Sequence, residues 1–314
     1  MRSATAAGML LGAAIDAVAG DPRRGHPVAV FGSRAATLEK RIYRDSRRRG
    51  VAFTALCVGT AAGIGVIADR LTRSRPVART VITAAATWAV LGGTTLAREG
   101  AYMARALEAG DLPVARERLP HLCGRNPANL DAGDLARATV ESIGENTSDA
   151  VVAPLFWGAV AGVPGLLAYR AINTLDAMVG HRSPRYERFG WASARLDDVA
   201  NFVPARLTGL LTVALAPAVG GSPRRALAML RRDGHRHPSP NSGRCEAAFA
   251  GALGVRLGGA NDYGGRVEHR PELGDGPRPA VADIRRSVRL ARAVSLSAVA
   301  LTVTARIRRA WPCA

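Results

Sequence analysis

The run Val51–Ala68, VAFTALCVGTAAGIGVIA, contains 18 residues and no charged side chain. Thr80–Ala97 has the same length and the same property, and Ala150–Tyr169 extends it to 20 residues. A helix needs about 20 mostly apolar residues to cross the hydrocarbon core of a bilayer. Arginines flank the first two runs, at Arg47–Arg49, Arg70, Arg79 and Arg98. The sequence therefore predicts a helical membrane protein.

The net charge supports this class and removes others. Lys and Arg number 43 against 25 Asp and Glu, which gives +18 over 314 residues. Such a charge indicates nucleic acid, a membrane surface or anionic substrates as partners. No zinc, RNP or helix-turn-helix pattern accompanies it, so we expect no nucleic-acid partner. The 48% hydrophobic content excludes disorder, and four scattered cysteines do not form a disulfide scaffold.

The apolar runs allow two topologies in the lipid bilayer. In one, six segments cross it. In the other, which we prefer, the crossing segments are 3–20, 51–68, 80–97 and 290–307. The runs at 150–169 and 207–219 contain proline, and the second has only 13 residues, which is typical of buried or re-entrant helices. The preferred topology places most Lys and Arg on one side of the membrane, as the positive-inside rule requires.

We therefore predict an all-α, polytopic integral membrane protein of the cell (cytoplasmic) membrane, with residues 1–314 in one membrane-embedded domain. A large polar region is expected at the cytoplasmic face, together with the active site. The N-terminal run also resembles a cleavable signal peptide ending at Ala17-Val18-Ala19. We expect it to be retained as a span, because cleavage would export a highly basic chain.

The most informative polar stretch is ESIGENTSD at 141–149. On a helix, Glu141, Glu145 and Asp149 form one stripe that runs into the apolar segment at 150–169. Like charges at this spacing repel each other unless a cation or hydrogen bonds compensate them. Mg²⁺ is such a cation, because one or two carboxylates and substrate phosphates hold it. A capped, solvated helix end explains the same spacing.

A second polar block, at 173–206, offers further cation and anion ligands. Asp197 and Asp198 are candidate cation ligands, and Arg195 and Arg206 are candidates for binding phosphate or carboxylate. Arg195 and Asp198 are also spaced to form an ordinary surface ion pair. The spacing alone does not decide between these interpretations.

The third block is HRHPSPNSG at 235–243. Its prolines fix an extended turn, and its Ser, Asn and Gly residues offer hydroxyl and backbone N–H groups to an anion. A rigid loop that caps its own backbone is the alternative. His235 and His237 alternate as in some metal sites, but no Cys or second His pair lies at ligand spacing, so zinc is not expected.

Five stretches occur in an order that resembles the adenosylcobinamide-phosphate synthase family of cobalamin biosynthesis, named CobD or CbiB. The likeness covers residues 8–290. The stretches are Gly20-Asp21-Pro22 with His26-Pro27-Val28, Glu145–Asp149, Asn173–Gly180, Ser193–Asn201 and His237–Gly243. The ordered set is far more specific than any single motif.

The resemblance implies an enzyme that joins adenosylcobyric acid to aminopropanol or its phosphate through an amide bond. ATP with Mg²⁺ would activate the acid, and the corrinoid would be a substrate. The implied catalytic residues are Glu145, Asn146, Asp149 and His237. The implied substrate-binding residues are Asp176, Arg195, Arg206, Ser239, Asn241 and Ser242. The implied Mg²⁺ ligands are Glu145, Asp149, Asp197 and Asp198.

Two other functions remain open at this point. One is a non-catalytic membrane carrier for an anionic solute, and the other is a different membrane transferase acting on a phosphorylated substrate. A carrier should have polar residues inside several spans. Here Asp16 is the only acidic residue inside a predicted span, and polar residues concentrate in the loops, which favours an enzyme. The general base is undecided between a carboxylate and His237.

Overall fold

A computed structural model describes residues 2–21, 25–181, 183–262 and 267–308. Pro22 of the first family motif lies outside these residues. The first helices are α1 (Arg2–Ala19), α2 (Pro27–Ile42), α3 (Arg47–Leu71), α4 (Pro76–Val90), α5 (Gly93–Glu108), α6 (Leu112–Arg118) and α7 (Ala132–Thr147). After them come α8 (Ala153–Ala161), α9 (Val163–Leu175), α10 (Trp191–Ala200), α11 (Phe202–Leu215), α12 (Pro223–Asp233), α13 (Ser242–Leu253), the strands β1 (Leu257–Asp262) and β2 (Val267–Leu273), and α14 (Val281–Arg308).

The chain folds into two compact units. The first comprises Met1–Gly92, Asp149–Asn201 and Ala298–Ala314, and the second comprises Gly93–Ser148 and Phe202–Ser297. The predominantly helical fold predicted from the sequence is confirmed. The assignment of all residues to one membrane-embedded domain stays a prediction.

In the first unit, two glycines let α1 approach α4 closely. A Cβ at Gly8 would lie 2.5 Å from Thr83 Cβ, and a Cβ at Gly12 would lie 2.5 Å from the Ala84 carbonyl oxygen. Small residues four positions apart are a common means by which apolar helices pack in membranes. The sequence of α1 is thus suited to pairing with α4 in lipid.

One side of α3 is apolar and exposed. Leu56, Ile64 and Ile67 are 55%, 57% and 59% exposed. Only 28% of the apolar window of this helix is buried. Large apolar surfaces are unfavourable in water, at about 25 cal/mol per Å², and lipid removes this cost. The surface of α3 therefore fits the predicted span at 51–68.

Four helical stretches are long and apolar enough to cross a membrane, among the residues that the structure describes. They are Arg47–Leu71, Pro76–Glu108, Phe202–Val219 and Val281–Arg308. Three of them contain the predicted spans at 51–68, 80–97 and 290–307. In Pro76–Glu108 the helix is interrupted between α4 and α5. The predicted first span forms α1, whose apolar part, Ser3–Ala19, is slightly shorter than the others.

Two apolar runs differ from the prediction in detail. The run at 207–219 belongs to a helical stretch that is long enough to cross a membrane. This stretch begins at Phe202 and reaches 18 residues at Val219. The run at 150–169 is divided between α8 and α9 at Gly162, whose φ of +67° belongs to the left-handed region. A glycine adopts this conformation without steric penalty.

The second unit is built around α13. Nine consecutive residues of this helix, Cys245–Leu253, are buried. It packs against α12, α11 and α7. The antiparallel pair β1 and β2 follows it, with Leu257 opposite Leu273. The sequence predicts an all-α protein, so the hairpin is an addition to the predicted fold.

Candidate functional site

Glu141, in the second unit, is a buried carboxylate with cationic partners. It forms ion pairs with Arg125 and Arg137, and its Oε1 accepts a hydrogen bond of 2.6 Å from the Gly258 backbone N–H. Arg137 also donates to the carbonyl oxygens of Gly258 and Ala260. These bonds fasten α7 to β1. Glu141 therefore stabilises the fold of this unit.

Glu145, one helical turn further along α7, has a different partner. Its Oε1 accepts a hydrogen bond of 2.7 Å from Ser242 Oγ. Ser242 ends the polar loop, where Ser239 Oγ accepts the backbone N–H groups of Asn241 and Ser242 at 3.3 and 3.2 Å. The loop is therefore folded by its own serine and presents Ser242 to Glu145.

His237 and Glu246 form a buried pair beside this loop. His237 Nε2 and Glu246 Oε1 lie 3.9 Å apart, and neither atom has a hydrogen-bond partner among the described residues. His237 Nδ1 accepts the backbone N–H of Ser239 at 3.0 Å, so the neutral imidazole carries its proton on Nε2. Burial lowers the pKa of His237, and burial with the charges of Glu141 and Glu145 raises the pKa of Glu246. Each side chain is held toward its neutral form.

Arg206, on α11, meets the same loop. Its Nη1 donates to Asn241 Oδ1 at 3.3 Å and to the Phe202 carbonyl at 2.7 Å, and its guanidinium lies 3.4 Å from the centre of the Phe202 ring. Asn146 instead donates to the Ser142 carbonyl within α7, at 2.9 Å. The second unit brings together six of the predicted site residues: Glu145, Arg206, His237, Ser239, Asn241 and Ser242.

In the first unit, Asp149 and Asp197 are linked through amide and phenol side chains. Asp149 Oδ2 accepts from Asn173 at 3.4 Å. The Tyr169 hydroxyl lies 3.3 Å from the Asp149 carbonyl and 2.8 Å from Asn201 Oδ1. Asn201 Nδ2 donates to Asp197 Oδ2 at 2.9 Å. The two predicted metal ligands therefore share one hydrogen-bond network.

Two π-helical segments, Ser148–Val152 and Asp176–Gly180, carry acids of this network. Such segments are frequent at functional sites. A side chain at Gly180 would collide with the Asp176 carboxylate, so the position requires glycine. Burial first, and the charge of Asp176 second, raise the pKa of Asp197 to about 7. Carboxylates in this arrangement favour binding of a proton or a cation.

Arg195 and Asp198 form an ion pair on α10. Arg195 Nη1 lies 3.2 Å from Asp198 Oδ2, and the Arg195 side chain is 66% exposed. An exposed pair of this kind contributes about 0–1 kcal/mol. The structure therefore has the surface pairing that the sequence analysis gave as the alternative to phosphate binding.

No group of three or more His, Cys, Asp or Glu side chains in the described part of the chain is arranged to hold a metal by itself. Mg²⁺ that binds together with phosphates needs only one or two protein carboxylates. Asp197 Oδ1 is buried and has no hydrogen-bond partner in the described ranges, and Asp149 belongs to the same network. This pair fits a Mg²⁺–phosphate group, whereas Glu145 and Asp198 are engaged by Ser242 and Arg195.

Several residues of these clusters were given no role by the sequence analysis. Asn173 lies inside a motif that was recognised, so its position was a usable signal; Asn201 was expected beside Asp197 and Asp198 as a further cation ligand. Tyr169 lies in an apolar run, where nothing distinguishes it from a core residue. Glu246 follows the polar loop but carries no motif of its own.

The protein has helices able to span a bilayer and two clusters of acidic and amide side chains. It is therefore a polytopic membrane protein with polar sites formed by its own side chains. The chain belongs to the CobD/CbiB protein family, whose model matches residues 9–291. The resemblance inferred from five ordered motifs is therefore confirmed.

Curated relatives match along nearly the whole chain. The cobalamin biosynthesis protein CobD of Mycobacterium tuberculosis is 56% identical over 305 residues, which cover 97% of this chain and 96% of the relative. Proteins of the same name from Geobacter metallireducens and Rhodobacter capsulatus are 46% and 45% identical, covering 88% and 91% of this chain and 89% and 93% of their own. No solved structure matches the chain.

Proposed function

We propose that this protein is an adenosylcobinamide-phosphate synthase of cobalamin biosynthesis. It would join a carboxyl group of adenosylcobyric acid to the amine of aminopropanol phosphate or aminopropanol, with ATP as the source of activation. Family membership and the name shared by the relatives support the pathway. The hydrogen bond between Ser242 and Glu145 is the observation that carries the proposal for this chain, because it joins two family motifs far apart in sequence.

The reaction sets two chemical requirements. Transfer of the γ-phosphoryl group of ATP to the corrinoid carboxylate gives an acyl phosphate and ADP. The amine then attacks the acyl carbon, phosphate leaves, and the amine loses a proton. The protein must therefore bind the phosphates of ATP and accept a proton close to the amine.

The acidic network of the first unit meets the first requirement. Asp149 and Asp197 would hold Mg²⁺, with Asp176 beside them and the amides of Asn173 and Asn201 keeping both carboxylates in place. Bound Mg²⁺ would neutralise charge on the transferred phosphoryl group. Within the described part of the chain, Asp197 Oδ1 has no hydrogen-bond partner, which suits a ligand atom.

The loop of the second unit meets the second requirement. His237 already uses Nδ1 to accept a backbone N–H, and in that tautomer Nε2 is a donor. A carboxylate therefore suits the base better, and we assign this role to Glu145. His237 would instead fix the shape of the loop that carries Ser239, Asn241 and Ser242.

The product assay tests this function directly. Protein purified in detergent is incubated with adenosylcobyric acid, aminopropanol phosphate and Mg-ATP, and the corrinoid is weighed by mass spectrometry. We expect the mass of the amide product and one ADP per amide. An unchanged corrinoid mass would overturn the proposal, and uptake of an anionic solute by vesicles containing the protein would support the carrier instead. Modification of a different phosphorylated substrate would support another transferase. The proposal places the site at the cytoplasmic face, where ATP is available.

A further inference from the structure

Arg206 and Arg244 bring two positive charges to the same end of the polar loop. Arg206 lies on α11 and Arg244 on α13, and both bond to Asn241: Arg206 Nη1 donates to Asn241 Oδ1 at 3.3 Å, and the Arg244 backbone N–H donates to the Asn241 carbonyl at 3.0 Å. Among the described residues, neither guanidinium forms an ion pair with Asp or Glu, whereas Arg125 and Arg137 of the same unit pair with Glu141. Two neighbouring cations without an acid repel each other, so this arrangement favours a bound anion.

Each of the two side chains has a feature that favours binding of an anion. Stacking on Phe202 and the hydrogen bonds to the Phe202 carbonyl and Asn241 fix Arg206 in one orientation. Arg244 Nε is buried and has no hydrogen-bond partner in the part of the chain that the structure describes. A buried donor without an acceptor is unfavourable, and an anion would supply the missing acceptor.

The opposite charge lies on the other side of the same loop. Ser242, two residues before Arg244, donates to Glu145 at 2.7 Å. For the described residues, Glu145 has no ion pair with Arg, Lys or His, unlike Glu141 one turn earlier. The same loop therefore contacts the Arg206 guanidinium through Asn241 and the Glu145 carboxylate through Ser242. This is the charge pattern that recognises a small zwitterion with an anion at one end and an ammonium at the other.

We propose that Arg206 and Arg244 clamp the phosphate monoester of a short phosphorylated amino alcohol, while Glu145 receives its ammonium group. The hydrogen bond with Asn241 orients Arg206, and the hydrogen bond from Ser242 orients Glu145. The inference rests on the proposed function, which it deepens by assigning the phosphate of the amine substrate to these two arginines. Arg244 is a binding residue that the family motifs did not single out.

The test compares two amine substrates in the Arg244→Gln variant. With aminopropanol phosphate we expect KM to rise about 10- to 100-fold, because charge-assisted hydrogen bonds to the phosphate are lost. With unphosphorylated aminopropanol we expect KM to change less than about twofold. Arg244→Lys keeps the positive charge at this position. Its KM for aminopropanol phosphate should lie between those of the wild type and Arg244→Gln. Arg225→Gln, which removes an exposed arginine paired with Asp275, is the matched control and should leave both KM values unchanged.

Each outcome of this comparison has a definite meaning. An equal rise of KM for both substrates, or no rise for either, would overturn the phosphate clamp while wild-type turnover leaves the proposed function intact. Absence of product from the wild type with either amine would instead remove the function. Because α11 is a candidate span, a lipid phosphate is a second source of the same chemistry. An Arg244→Gln effect that disappears in lipid-free detergent would assign the arginines to lipid and overturn the clamp.

Discussion

Glu141 and Asp197 are two acidic side chains with opposite surroundings. Glu141 has two arginines and a backbone N–H around it. Asp197 has the amide of Asn201 and a neighbouring acid, and its Oδ1 has no hydrogen-bond partner among the residues that the structure describes. A buried charge is tolerated when it is paired, and an unpaired one raises its pKa or binds a cation. The difference indicates that Glu141 stabilises the fold and that Asp197 binds a ligand.

The largest expected effect is on turnover. Asp149→Ala should lower kcat by about 10³-fold or more, because it removes a proposed Mg²⁺ ligand from the phosphoryl-transfer site. Insertion into the membrane fraction and the thermal midpoint should stay close to the wild type. Turnover within a factor of three of the wild type would remove Asp149 from the site.

Glu141→Ala should act on stability instead. Its removal breaks the buried ion pairs with Arg125 and Arg137, and losing one partner of a buried pair costs about 3–5 kcal/mol. Thermal unfolding in detergent measures the change, and little folded protein is expected. A variant that unfolds like the wild type but has lost activity would show that Glu141 belongs with the catalytic acids.

A smaller effect should follow from Glu246→Gln, and it should depend on pH. Burial and the charges of Glu141 and Glu145 raise the pKa of Glu246, whereas Arg270 opposes them and His237 faces it. The stability contributed by the protonated acid is present below the ordinary pKa of Glu and is lost as pH rises through the raised value.

The midpoints of wild type and Glu246→Gln should therefore agree at about pH 4, below the ordinary pKa of Glu. At pH 9 the variant should be more stable by more than about 1 kcal/mol, because glutamine does not ionise. Thermal unfolding at the two pH values gives the comparison. A constant difference across this range would contradict the raised pKa.

The smallest effect is expected for Arg195→Ala. Its pairing with Asp198 is exposed, so stability should change by about 0.5 kcal/mol or less and kcat/KM by less than about twofold. A loss of tenfold or more in kcat/KM would return Arg195 to the phosphate-binding role that its motif first indicated.

Sequence patterns predicted the helices better than the contacts. Uncharged runs such as Val51–Ala68 are set by the thickness of the bilayer, so length and composition were enough. The run at 207–219 is too short to cross a bilayer when Arg206 is its limit. One arginine near a helix end is tolerated, however, when its side chain can reach a polar loop. The hairpin β1–β2 was missed because its glycines resemble a loop.

The candidate site was predictable in part for a different reason. Motif residues such as Glu145 and Ser242 could be selected, but nothing in the sequence states that they bond to each other. Arg125 and Arg137 could not be singled out as partners of Glu141 among 43 Lys and Arg residues. Pairing over long sequence distances depends on packing, and a single sequence does not contain that information.

The most direct test of whether Asp197 binds a ligand is the Asp197→Asn variant. Its turnover and its thermal unfolding are measured in the same preparation. Asparagine keeps the hydrogen bond to Asn201 and removes a buried charge next to Asp176. We predict that amide formation is lost while the unfolding midpoint at pH 8 is equal to or higher than that of the wild type. Retained amide formation together with a fall in the midpoint would contradict the account.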